Sequence, residues 1–133
     1  MKTEKLKEKY IKYELTKDDV FKHQHYVIIT RSGIEKIQAL ENIHINYDVI
    51  KCEPNFASVK ATAIKEENTI QTFGSALKGN NFKDGNTNTW YVLEMAEKRA
   101  MSRAVLKLTG FYELGVFGED ESEDFKNNMD RGA

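Results

Sequence analysis

Cysteine, proline and tryptophan each occur once in this chain of 133 residues, and no apolar run approaches the roughly 18 residues that a membrane span needs. A lone cysteine, Cys52, excludes a disulfide framework and any zinc site of the CxxC type. Its ordinary role would be that of a small buried hydrophobe. One proline, eight glycines and 11% aromatic residues argue against a low-complexity or wholly disordered chain. The N-terminus has no apolar stretch of the signal-peptide kind. A soluble, cytoplasmic protein without a membrane partner is the expectation. The length suits one core, since domains commonly run on the order of 100–150 residues.

An excess of one charge is lacking too: 20 Lys and Arg stand against 21 Asp and Glu, a net of −1. The distribution is uneven. Residues 119–133 hold Glu119, Asp120, Glu121, Glu123, Asp124 and Asp130 against Lys126 and Arg131, a net of −4, which leaves residues 1–118 at +3. The chain therefore reads as a mildly basic body with an acidic appendage. A solvated, disordered end is the plain reading of that appendage. The functional one is that it competes with a polyanion for the body or recruits a protein partner. Expected boundaries are an arm or short helix over 1–15, one α+β domain over 16–118, and the tail over 119–133.

Periodicity supplies the elements. In the Lys/Glu-rich start, Leu6, Tyr10 and Tyr13 fall near helical spacing. Thr16 followed by Asp18 and Asp19 reads as a first helical turn ending near Phe21. Tyr26–Thr30 is a β-branched run, and Ser32-Gly33-Ile34-Glu35 fits a capping box opening a helix through Ile43. Three alternating segments follow: Ile45–Glu53, Phe56–Lys65 and Thr69–Leu77, separated by turns at Pro54-Asn55 and Glu66-Glu67-Asn68. Period-two patterning with short polar turns predicts an antiparallel meander with one buried face. After a Gly/Asn-rich loop over 78–89, Thr87 or Thr89 is placed to cap a long helix from about Trp90 to Thr109. Leu93, Ala96, Ala100, Ala104 and Leu108 would be its buried stripe, widened by Met101 and Val105, with Gly110 at the C′ position. Phe111–Phe117 then packs back or starts a subunit contact. The fold class expected is α+β: a three-stranded antiparallel β-meander, with an extra N-terminal strand, packed by a short helix and a long C-terminal helix.

Constellations for catalysis are scarce. His23-Gln24-His25 has metal-like spacing but no third ligand, and polar residues before a strand are the simpler reading. Asp48, Glu53, Glu66 and Glu67 form no ligand pattern for a metal-dependent nuclease, and no Walker A, GxGxxG or G-x-S-x-G sequence occurs. A non-enzyme is expected, with no cofactor.

The basic positions say more. Arg99, Arg103 and Lys107 are spaced i, i+4, i+8 on the long helix beside Lys98, and such a stripe can neutralise successive phosphates. The alternative is a solvated face in which Glu94 pairs with Lys98. The loop before the helix joins Lys78 and Lys83 to Phe82, Trp90 and Tyr91, the combination that stacks and holds unpaired bases. For Trp90 a core anchor at the helix start is the favoured role. The outward sheet face bearing Ser58, Lys60 and Thr62 would extend the path.

Residues Ala96-Glu97-Lys98-Arg99-Ala100-Met101-Ser102-Arg103-Ala104, running to Leu108-Thr109-Gly110, resemble the E-x-R-A-x-x-R-A helix of the phage and archaeal single-strand annealing superfamily, the Rad, Erf, Sak and Redβ group. Tyr26–Ile37 is similar to that group's strand, T-x-x-G and helix opening. The likeness covers about residues 18–117 in element order and two short motifs in residues. It implies a β-β-β-α annealing core assembled into rings or helical oligomers, with a basic groove holding one DNA strand, its bases exposed for pairing. It further implies a role in DNA recombination and repair in a bacterial or archaeal host cell, encoded by a phage or mobile element. Carried across, Lys98, Arg99 and Arg103 would contact the strand, with Arg31 and the loop lysines Lys78 and Lys83 after them; the helix stripe, the loop and the sheet face, read by themselves, add Lys107, Phe82 and Lys60. Single-stranded DNA is the partner expected, RNA the second choice. The runner-up is a non-enzymatic protein-interaction module that uses the acidic tail and Phe111–Phe117.

Overall fold

Alternation of small apolar and polar side chains builds the central sheet of this computed structural model, which describes residues 2–23, 26–79, 85–87 and 89–120. Strands β3 (His44–Glu53), β4 (Phe56–Lys65) and β5 (Asn68–Leu77) form the antiparallel meander expected. On β4, Ala57, Val59, Ala61 and Ala63 are fully buried, while Ser58, Lys60 and Thr62 face the other side. Helix α3 (Val92–Leu108) lies across the buried side, with Ala96, Ala100 and Ala104 inaccessible to solvent.

Gly74 on β5 explains how close that helix comes. A Cβ at this position would collide with the Ala96 carbonyl oxygen and the Ala100 amide nitrogen. Thr72, two residues earlier, donates its hydroxyl to the Ala100 carbonyl at 2.6 Å. The helix ends as its sequence requires. Gly110 takes φ 81°, its N–H bonds to Lys107, and the Phe111 N–H reaches the Leu106 carbonyl at 3.0 Å. Leu106 and Phe111 are both buried, which supplies the apolar contact that accompanies such an ending.

A second sheet was not legible in the sequence. Strand β2 (Tyr26–Ile29) lies between β1 (Val20–His23), antiparallel to it, and β6 (Val116–Gly118), parallel to it. The helical turn expected at Thr16–Phe21 is a turn and a strand instead. The Asp19 carboxylate accepts bonds from the Thr16 amide (2.9 Å), the Ser32 hydroxyl (2.8 Å) and the Lys36 ammonium (2.6 Å), so it ties segments together and starts no helix. Helix α2 (Arg31–Leu40) is capped by Thr30, whose Oγ1 accepts from the Gly33 amide at 3.3 Å. Ser32 is thereby released to Asp19, and Glu35 pairs with Arg31 at 3.0 Å.

Helix α1 (Lys2–Lys12) is fastened to the body. Tyr13 is buried 5.8 Å from the Phe111 ring and donates to Glu41 at 2.6 Å, and Lys12 and Lys65 pair with the same carboxylate. Phe111 and Val116 are fully buried, so the Phe111–Phe117 segment packs back onto its own chain. Cys52, expected inside, is exposed on β3. No helix among the described residues is long and apolar enough to cross a membrane.

Candidate nucleic-acid interface

The arginine stripe of α3 runs along the outer edge of β5. Arg99 is only 1% exposed. Its three donor nitrogens reach backbone carbonyls in three separate segments: Ser75 at 2.8 Å, Asn86 at 2.9 Å and Asp120 at 3.2 Å. A guanidinium directed inward in this way is a clamp, and burial removes it from the surface a strand would touch. Arg103, one helical turn on, is half-buried and donates to the Phe73 carbonyl at 2.7 Å. Lys107 is exposed, with its ammonium 5.7 Å from the Tyr112 ring centre. Lys98 is half-buried on the neighbouring helix face.

Aromatic residues gather at the other end of α3. Trp90 and Tyr91 precede the helix and are 66% and 69% exposed. The core-anchor role expected of Trp90 is therefore not what the fold gives it. Val92, the next residue, fills the core in its place. Thr89 accepts from the Tyr91 amide at 3.2 Å and Thr87 from the Thr89 amide at 3.3 Å, so the threonines fix the approach to the helix, which carries no side-chain cap at its first turn. Lys78, at the end of β5, holds its ammonium 4.4 Å from the centre of the Trp90 ring. A cation over an indole that is open to solvent makes a flat, electropositive platform. Phe82 and Lys83, which were expected to join it, lie outside the described residues.

The sheet contributes one residue that sequence reasoning missed. Thr72, Gly74 and Ala76 point inward, so Phe73 points out; it is 52% exposed and stands directly across from Lys60. The signal was present, because period two around a glycine and an alanine fixes which side Phe73 takes. Lys60 also faces Asp48 at 3.7 Å, which offsets its charge.

The first acidic residues of the tail reach α2 and α3. The Arg31 amide donates to Glu119 at 3.3 Å, and Ser102 donates to the Asp120 carboxylate at 3.1 Å. Burial raises the Asp120 pKa; the Ser102 bond and the charges of Arg31 and Lys98 act against that rise. The first two acids of the tail thus stand beside two of the candidate cations, Arg31 and Lys98. The remainder of the tail lies outside the described residues. The basic excess of the body has a further source: α1 carries Lys2, Lys5, Lys7, Lys9 and Lys12 against Glu4 and Glu8. Among the described residues no three His, Cys, Asp or Glu side chains converge as a metal site would require, and His25 is not among them. No protein-family model, curated protein or solved structure matches the chain.

Proposed function

We propose that this chain binds single-stranded DNA without catalysing bond chemistry, and that it promotes annealing of complementary strands in recombination as an oligomer. The observation that carries the reading is the exposed Trp90–Tyr91 pair with Lys78 seated over the indole. Two adjacent aromatics left in water at a helix start lose the burial that would otherwise hold them. Stacked unpaired bases restore it while lysine meets phosphate. Phe73 with Lys60, and Lys107 with α1, give further stacking and cationic positions. Phosphates held electrostatically lose their mutual repulsion, and base pairing then selects the partner strand, so no cofactor enters.

The test is fluorescence anisotropy of a labelled oligothymidylate across a salt series, followed by annealing of complementary oligonucleotides. Binding that weakens steeply with salt, with little sequence preference and faster annealing than the free strands show, is expected. Absence of binding at micromolar protein in low salt would overturn the reading.

A further inference from the structure

The two edges of the central sheet are treated differently by the fold. On β5 several outward-facing backbone groups between Phe73 and Leu77 are already occupied. Leu77 N–H donates to the Asn86 side chain at 2.7 Å, the Leu77 carbonyl accepts from the Asn86 and Thr87 amides, and the Ser75 and Phe73 carbonyls accept from Arg99 and Arg103. Another strand would find the ladder interrupted over that stretch. The far side of β3 is open: ten residues long, it is hydrogen-bonded to β4 alone among the described residues. It exposes Val49 at 55% and Ile50 at 57%, with Tyr47 and Cys52 also exposed. Asp48, Lys51, Glu53 and a bulge are devices that keep such an edge from pairing indiscriminately, so the pairing it admits is a selective one.

We propose that two copies of this chain pair their β3 strands antiparallel, about a two-fold axis through the Val49–Ile50 link, to make one six-stranded sheet. The occupant is identified by the strand's own symmetry. A bulge separates Val49, opposite Val59, from Lys51, opposite Ser58. It places Asp48 and Lys51 on the same outer face, across from Lys60 and Ser58, and Tyr47 and Cys52 on the same inner face, across from Ala61 and Ala57. Read from either end about that link, inner and outer positions therefore coincide. Antiparallel pairing sets Asp48 against the partner's Lys51, and Lys51 against the partner's Asp48. Val49 meets the partner's Ile50, Tyr47 the partner's Cys52, and Asn46 the partner's Glu53. Opposite charges directly across a strand pair attract, here twice by symmetry, and a self-complementary patch is what a two-fold contact requires. A slip of one residue would set inner side chains against outer ones. Lys51 already pairs with Glu53 of its own strand at 3.3 Å, and Asp48 faces Lys60, so the new pairs join existing networks of mixed sign. The contact goes beyond strand binding and forms without nucleic acid.

Light scattering on the full chain without DNA, from micromolar to hundreds of micromolar, tests it. A mass tending to twice 15.3 kDa is expected. Asp48→Lys and Lys51→Asp should each weaken dimerisation by about tenfold or more. The double variant, with complementarity restored, should recover it. Unchanged melting temperatures for the exposed-site variants separate lost pairing from lost folding. A monomer at every concentration overturns the proposal, as does a larger assembly indifferent to the reversals. A double variant no better than the single ones overturns the two-fold register.

Discussion

Arg99 and Arg103 are four residues apart on a helix, a rise of about 6 Å, and the carbonyls they reach are two residues apart on a strand, about 6.8 Å. That match makes the pair of arginines a device for closing the edge of β5, with Arg99 the deeper of the two. Arg99→Ala is expected to cost about 3 kcal/mol of stability in urea denaturation, because a buried side chain that ties three segments together is lost and three carbonyls lose a charged donor. Arg99→Lys should recover little, lacking the planar fork. Trp90→Ala should leave stability unchanged and weaken oligonucleotide binding by about 1–3 kcal/mol, the contribution of a stacked base, read by anisotropy. Glu41 gives the protein an acid limit. Burial raises its pKa, but bonds from Lys65, Tyr13 and Lys12 outweigh this and hold it at about 2, and Asp19 is likewise held low by Lys36, Thr16 and Ser32. A carboxylate depressed in the folded state stabilises fully above its unfolded pKa. That contribution falls away as pH drops from about 4.5 toward 2 for Glu41. Melting temperature should decline through that window, and less steeply in Glu41→Gln.

Among the elements, the meander was legible and the small sheet was not, for different physical reasons. Ten-residue strands with alternation, strict on β4 and broken on β3 only by its bulge, and polar turns carry their pairing in local sequence, so β3, β4 and β5 follow from Pro54-Asn55, Glu66-Glu67 and the alanines of β4. The three-residue β6 is defined only by its parallel neighbour β2, nearly ninety residues earlier, and no local pattern encodes that. The i, i+4, i+8 spacing showed that Arg99, Arg103 and Lys107 share a face, but not that this face lies along a strand edge. Gly74 was the missed signal, since a glycine inside a strand marks a close backbone approach. Gly74→Ala should destabilise by about 2 kcal/mol or more, in the range of core overpacking, because the atoms it would strike are helix backbone. Within the candidate site, Lys78, Trp90 and Tyr91 were legible as an aromatic and basic cluster. Their exposure was not, because burial at a helix start depends on which of Trp90, Tyr91 and Val92 the sheet can reach.

For the whole molecule the net charge of −1 combines a basic body with an acidic tail whose first two acids stand beside Arg31 and Lys98. Truncation after Asp120 keeps the Arg99 bond and removes a net of −2. DNA affinity should rise several-fold at low salt, and the gain should vanish at high salt as screening shortens the reach of those charges. The central claim, that the lone tryptophan stacks on unpaired bases, has one direct measurement. Trp90 emission is followed while an unlabelled single-stranded oligonucleotide is titrated in, at low and at high salt. Saturable quenching that shifts to higher oligonucleotide concentration with salt is the result expected. Emission unchanged at saturating oligonucleotide, with binding confirmed by anisotropy, would contradict it.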